Sequence, residues 1–118
     1  SADLAIFPSL YEPFGIVALE ALANACPLVV SDAGGLAEVV QDGVTGLVVP
    51  ADNAGALADA VIAALIRPDM ARVRAAAALR EIRETYTWPR IASSTLAVYQ
   101  QVMAEWQNSP WGKEQLAS

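Results

Sequence analysis

The chain has no histidine, one cysteine (Cys26) and one lysine (Lys113). Each scarcity removes a class of chemistry. Without His or a second Cys the usual zinc sites cannot be assembled, an internal disulfide is impossible, and His-based triads and His-ligated metal hydrolysis are out. No resident metal or cofactor is therefore expected. A Walker-type phosphate loop needs a Lys among its glycines, and Lys113 has no such setting. Long apolar runs are also missing, because Glu20, Asn24, Pro27, Asp32 and Asp59 interrupt each stretch well before the roughly 20 residues of a bilayer span. No basic segment leads into an apolar one at the start, so neither span nor signal peptide is read, and a cytoplasmic location is the expectation.

Positive charge is absent from the first half altogether. Residues 1–66 carry eight acids and no base, whereas residues 67–118 carry five acids and seven bases, within a net charge of −6. That distribution speaks against a nucleic-acid partner. What is abundant is apolar: 55% of the 118 residues are hydrophobic, and 24 residues are alanine. Alanine favours helix and adds little core area per residue, so closely packed helices in one small domain, or a piece of one, are expected.

Three short apolar runs, Leu4 to Phe7, Leu28 to Val30 and Leu47 to Val49, each lead into Pro, Ser or Asp and read as buried parallel strands. Between them lie a helical segment at Gly15 to Ala25, a short one at Leu36 to Gln41 and a Gly43-Val44-Thr45-Gly46 turn. The alternation predicts an α/β layer architecture. Beyond it Leu57, Val61, Ala64 and Leu65 recur at helical spacing behind Asp52 or Asn53, either of which can cap the helix. Pro68 ends that helix, Asp69 starts another through Met70, Val73, Leu79 and Ile82, and Thr87 caps a last one carrying Ile91, Leu96, Tyr99, Val102 and Met103. One domain over residues 1–107 and a poorly ordered tail over 108–118 are expected. Three strands make a narrow sheet, and Ser1-Ala2-Asp3 stands directly before a strand with no initiator Met, which suits a fragment of a larger domain.

The segment from Pro8 to Ala21 carries the candidate site, since ligands of open α/β sheets bind beyond the carboxyl ends of strands, where loops enter helices. Gly15 lets backbone approach a ligand, and the free amides of Phe14, Gly15, Ile16 and Val17 at a helix N-terminus favour an anion. Glu12 precedes the helix, and Glu20 lies about 7–8 Å beyond Gly15 along the axis at roughly 1.5 Å per residue. A carboxylate repels a phosphate, so both acids suit neutral hydroxyls on either side of an anion, such as a sugar and a ribose diol.

The string Glu12-Pro13-Phe14-Gly15-Ile16-Val17-Ala18-Leu19-Glu20-Ala21 resembles the E-x7-E motif of group 1 glycosyltransferases, retaining enzymes of the GT-B fold. Pro27 to Asp32, Gly34 to Val40, Asp42 to Pro50 with Asp52, and Thr87 to Ala92 are similar to that family's successive elements, so the resemblance covers residues 2–104. It implies a partial Rossmann-like, three-layer fragment of a nucleotide-sugar-binding domain with a short parallel sheet and C-terminal helices. It also implies a nucleoside-diphosphate sugar as donor, an acceptor of unknown identity and a missing N-terminal domain. Glu12, with the amides of Phe14 and Gly15, is implied to meet sugar hydroxyls as the catalytic contact, the amides of Ile16 and Val17 the diphosphate, and Glu20 the ribose. Neither Glu is then a nucleophile; the donor's phosphate assists same-face attack, and catalysis is positioning and charge stabilisation. The Arg and Lys that neutralise the diphosphate in this family come from earlier strands, and residues 1–66 supply none.

Plainer readings stand beside these. Glu20 read alone is a carboxylate that stabilises a helix dipole, and Glu12 a solvated loop acid. Gly34-Gly35 either is a plain strand-to-helix turn or, as the resemblance implies, places backbone near the nucleotide; Asp42-Gly43 and Thr45-Gly46 are turn chemistry, and Cys26 is a small buried residue. The arginines from Arg67 to Arg90 form a solvated helix face, Trp88 and Tyr99 are expected to pack, and Trp106 and Trp111 are expected to meet the missing domain. Two other functions fit the same pattern. One is a non-catalytic α/β module or subunit, completed by a partner or by a second copy through its open sheet edge. The other is a sugar-nucleotide epimerase, for which the chain offers no clear acid/base residues.

Overall fold

The computed structural model describes residues 2–110. They form two compact units, one through Glu84 and one from Thr85. In the first, three short strands, β1 (Ala5–Phe7), β2 (Leu28–Ser31) and β3 (Leu47–Val49), pair in parallel in the order β1-β2-β3. Ala5 stands opposite Leu28, and Val29 opposite Leu47. Helix α1 (Ile16–Ala23) joins the first two strands and α2 (Gly35–Val39) the next two; α3 (Ala54–Ile66) and α4 (Pro68–Thr85) follow.

The strand period of two assigns each side chain to a face. Phe7, Leu28, Val30 and Val48 turn to Ala18 and Leu22 of α1, Leu36 and Val39 of α2, and Ala78 and Ile82 of α4. Val29, Leu47 and Val49 turn the other way, to Leu57, Ala60, Val61 and Ala64 of α3. Three layers result, with β2 buried along its whole length. Ala71, Ala75 and Ala78 form the buried stripe of α4, so alanine does let a helix approach the layer beneath it closely. Leu22 and Leu36 are the largest fully buried side chains. Leu36→Ala is expected to cost about 2–5 kcal/mol of stability, the usual range for a buried Leu truncation, read as a lower midpoint in denaturant unfolding.

Local signals explain the boundaries. Asn53, rather than Asp52, caps α3 by accepting the Ala56 N–H at 2.9 Å. Pro68 opens α4 directly after Arg67, where its missing N–H costs nothing. The 41–46 turn is held by its own polar groups: Thr45 Oγ1 accepts from Gln41 N at 2.8 Å and Asp42 Oδ1 from Val48 N at 2.9 Å. Asp42 and Thr45 are turn residues, as read from the sequence.

The second unit contains α5 (Trp88–Asn108). Thr87 occupies its cap position without a side-chain hydrogen bond. No residue of α5 is buried, and Trp88 and Tyr99 are 82% and 64% exposed, so the expectation that these two pack is corrected. Asn108 ends the helix, and the rest of the expected tail beyond residue 110, Trp111 included, lies outside the described residues. Among the described residues no helix is long and apolar enough to cross a membrane.

Candidate donor site at the strand ends

The loop after β1 carries the expected residues into one place. Pro13 biases Glu12 toward extended backbone and has no N–H of its own. The chain then reverses at Gly15, whose φ of 71° is left-handed, and α1 begins at Ile16 with no side chain capping its first turn. The Glu12 carboxylate, half-buried, fills part of that gap: its Oε1 accepts from Gly15 N at 3.3 Å, a long bond by the usual geometry. The amides of Ile16 and Val17 have no acceptor among the described residues and point out of the helix start.

Glu20 lies beyond the first turn of α1, where a dipole effect has largely faded. Ala18 and Leu22 hold the helix to the core, which turns the opposite face outward. Ile16, Val17 and Glu20 share that outward face at spacings of four and three residues, and all three are exposed. Glu12, Phe14, Gly15, Ile16, Val17 and Glu20 all lie on one segment, the loop, the helix start and the helix face leading from it, with Gly15 buried beneath the others.

Behind this loop, backbone packs on backbone. Gly35 N donates to Glu12 O at 2.8 Å. A Cβ on Gly34, which has φ 47°, would lie 2.3 Å from Glu12 O; one on Gly35 would lie 2.5 Å from Phe14 C; one on Gly15 would lie 2.9 Å from Gly35 O. The Gly34-Gly35 turn thus packs its backbone against that of the Glu12 loop. Two ties of the strand ends escaped the sequence reading. Ser31 Oγ donates to Ser9 O at 2.6 Å, and Asp32 Oδ1 accepts from Ala51 N at 2.7 Å. Small polar residues at strand ends are too common for their order to have signalled either one.

A separate hollow of about 310 Å³ opens at the strand ends on the α3 side, lined by Pro8, Leu10, Ser31, Val49, Asp52 and Leu57 among others. None of the six expected site residues lines it. Asp52 is its only charged lining group, so the hollow offers no cation to a diphosphate. Arg72 lies 3.7 Å from Asp69, with side chains 77% and 95% exposed, and at that exposure the pair contributes little.

A layered α/β unit with a short parallel sheet, a loop turning at glycine and a helix start at the carboxyl end of the first strand is a partial Rossmann-like fold. Residues 1–81 match the family Glycosyl transferases group 1, and the chain belongs to that family. It is 48% identical over 99 residues to glycogen synthase of Mycobacterium tuberculosis H37Rv, covering 83% of the chain and 24% of that protein. Alpha-maltose-1-phosphate synthase of Mycolicibacterium smegmatis is 43% identical over 110 residues, covering 88% of the chain and 28% of that enzyme. Sucrose-phosphate synthase from Thermosynechococcus elongatus superposes with a TM-score of 0.80 at 38% identity, over 88% of this chain and 26% of that one. Anabaena HepE in complex with UDP-glucose superposes with a TM-score of 0.78 at 25% identity, over 85% and 28%. The chain thus spans about a quarter of the length of these relatives.

Proposed function

We propose that this chain is the C-terminal part of the donor domain of a retaining glycosyltransferase, which moves a sugar from a nucleoside diphosphate to an acceptor. The carrying observation is the run of Glu12, the uncapped first amides of α1 and the exposed Glu20 along one loop-to-helix segment at the end of β1. On this reading the Ile16 and Val17 amides take diphosphate oxygens, with the helix dipole adding to their pull. Glu20 accepts from the ribose diol, and Glu12 with the amides of Phe14 and Gly15 takes sugar hydroxyls. The long Glu12–Gly15 bond is the kind a sugar hydroxyl can replace, because a shorter bond to the carboxylate recovers what is lost. The chain's share of catalysis is holding the leaving diphosphate and orienting the sugar, so that an acceptor supplied from an N-terminal domain attacks on the same face.

The UDP-glucose complex of a structural relative and the named activities of the sequence relatives support a nucleotide-sugar donor. The exposed cluster of Leu10, Tyr11, Phe14 and Ile16 beside the loop supports a second domain facing it, since apolar patches of this kind mark contact surfaces. The outer edge of β1 is open in the β1-β2-β3 order and supports a preceding strand of the same domain more simply than a second copy.

Steady-state kinetics of the full-length enzyme carrying this chain tests the placement of the nucleotide. Glu20→Ala is expected to raise the donor KM about tenfold, corresponding to about 1.4 kcal/mol, with kcat nearly unchanged, because a ribose contact is made equally in ground and transition states. An unchanged KM would remove Glu20 from the site.

A further inference from the structure

The contacts of Gly34 and Gly35 are unusual for a strand-to-helix turn, because both face the main chain of the candidate loop instead of a side chain that could step aside. Gly34 stands against Glu12 O, and Gly35 against the carbonyl carbon, Cα and O of Phe14 at 2.5–2.8 Å from its virtual Cβ. Gly35 N also donates to Glu12 O, so the same turn that limits the loop's approach fixes its depth. The turn itself is anchored: Ser31 at the end of β2 bonds Ser9 O, and Leu36, the first core residue of α2, is fully buried. The loop is therefore seated on a rigid surface made of backbone.

We propose that Gly34 and Gly35 are positioning residues of the glycosyl-transfer site, acting through Glu12 and the start of α1. The proposal rests on the role assigned to Glu12 above. Gly35 has an ordinary helical backbone, so alanine there brings no conformational strain and its effect comes from the added methyl alone. Ordinary contact requires Phe14 to retreat by about 1 Å, and a misplacement of that size at a reacting geometry costs on the order of a hundredfold in rate. Gly34→Ala presses on Glu12 O instead and must also overcome a backbone conformation that L-residues rarely adopt.

The test is a double-mutant cycle in the full-length enzyme. Gly35→Ala is expected to lower kcat about a hundredfold. In a Glu12→Ala background the same change should cost less than about tenfold, because the carboxylate that the shifted loop would misplace is already gone. Gly46→Ala is the structural control. Its added methyl meets Val40 Cγ1 at 2.6 Å, away from the loop, and should lower the melting temperature without lowering kcat in this pattern. Gly34→Ala serves as the second variant and should show the same coupling to Glu12. Equal losses for Gly35→Ala in both backgrounds, with Glu12→Ala itself impaired, would overturn this proposal alone. A wild-type kcat in Glu12→Ala would overturn it together with the role of Glu12. Failure of both glycine variants to fold, or a lowered melting temperature with unchanged kcat, would assign the pair to stability and also overturn it.

Discussion

The 118-residue chain by itself is expected to transfer no sugar, whatever donor and acceptor are offered, and to bind a nucleoside diphosphate only weakly. The candidate site lies within residues 1–66, which contain no base, so a diphosphate there meets helix amides and no cation. Each missing charge-assisted bond forgoes about 1.5–3 kcal/mol, or roughly ten- to a hundred-fold in affinity. Turnover fails for a further reason, because leaving-group charge builds up where backbone amides and no cation from residues 1–66 receive it. Calorimetry with UDP and a product assay on the isolated chain check both halves. Sub-micromolar binding, or any turnover above background, would show that the chain completes its own site and that the cations assigned to missing strands are not needed.

Replacing Glu12 by Ala in the full-length enzyme should lower kcat about 10²- to 10³-fold while leaving the donor KM within about threefold. A carboxylate accepting two sugar hydroxyls makes charge-assisted bonds of about 1.5–3 kcal/mol each. Only the part that tightens as the sugar reaches the transition state appears in kcat. The half-buried setting of Glu12 and its seat on Gly35 N fit a residue held in place before substrate arrives. Rapid-mix and steady-state kinetics together separate this from a binding defect. A raised KM with normal kcat would exchange the roles given to Glu12 and Glu20.

Much of this was legible in the order of residues. Buried parallel strands announce themselves as short β-branched runs, which is why Leu28 to Val30 and Leu47 to Val49 were placed to within a residue. The loop-to-helix junction at Gly15 was legible because a left-handed turn before unpaired amides all but requires glycine. The seating of that loop on Gly34-Gly35 was only half legible: a glycine pair signals that something comes close, but a contact made by backbone leaves no complementary side chain to identify its partner. The fate of Trp88 and Tyr99 was not legible at all. Helical periodicity reports that a face is apolar and says nothing of which surface covers it.

The strand order has a consequence for how the unit is made. Each strand pairs with its immediate predecessor in the chain, and the loops between them are closed by one short helix each. A polypeptide leaving the ribosome at about 5–20 residues per second releases β1, β2 and β3 in their final spatial sequence, while helix and loop closure take microseconds or less. The sheet can therefore be laid down vectorially, each strand finding its template already present. Among the described residues no strand pairs with the outer edge of β1 or with that of β3. Nascent-chain truncations probed by proteolysis would show protection advancing from β1 toward β3 as the chain lengthens.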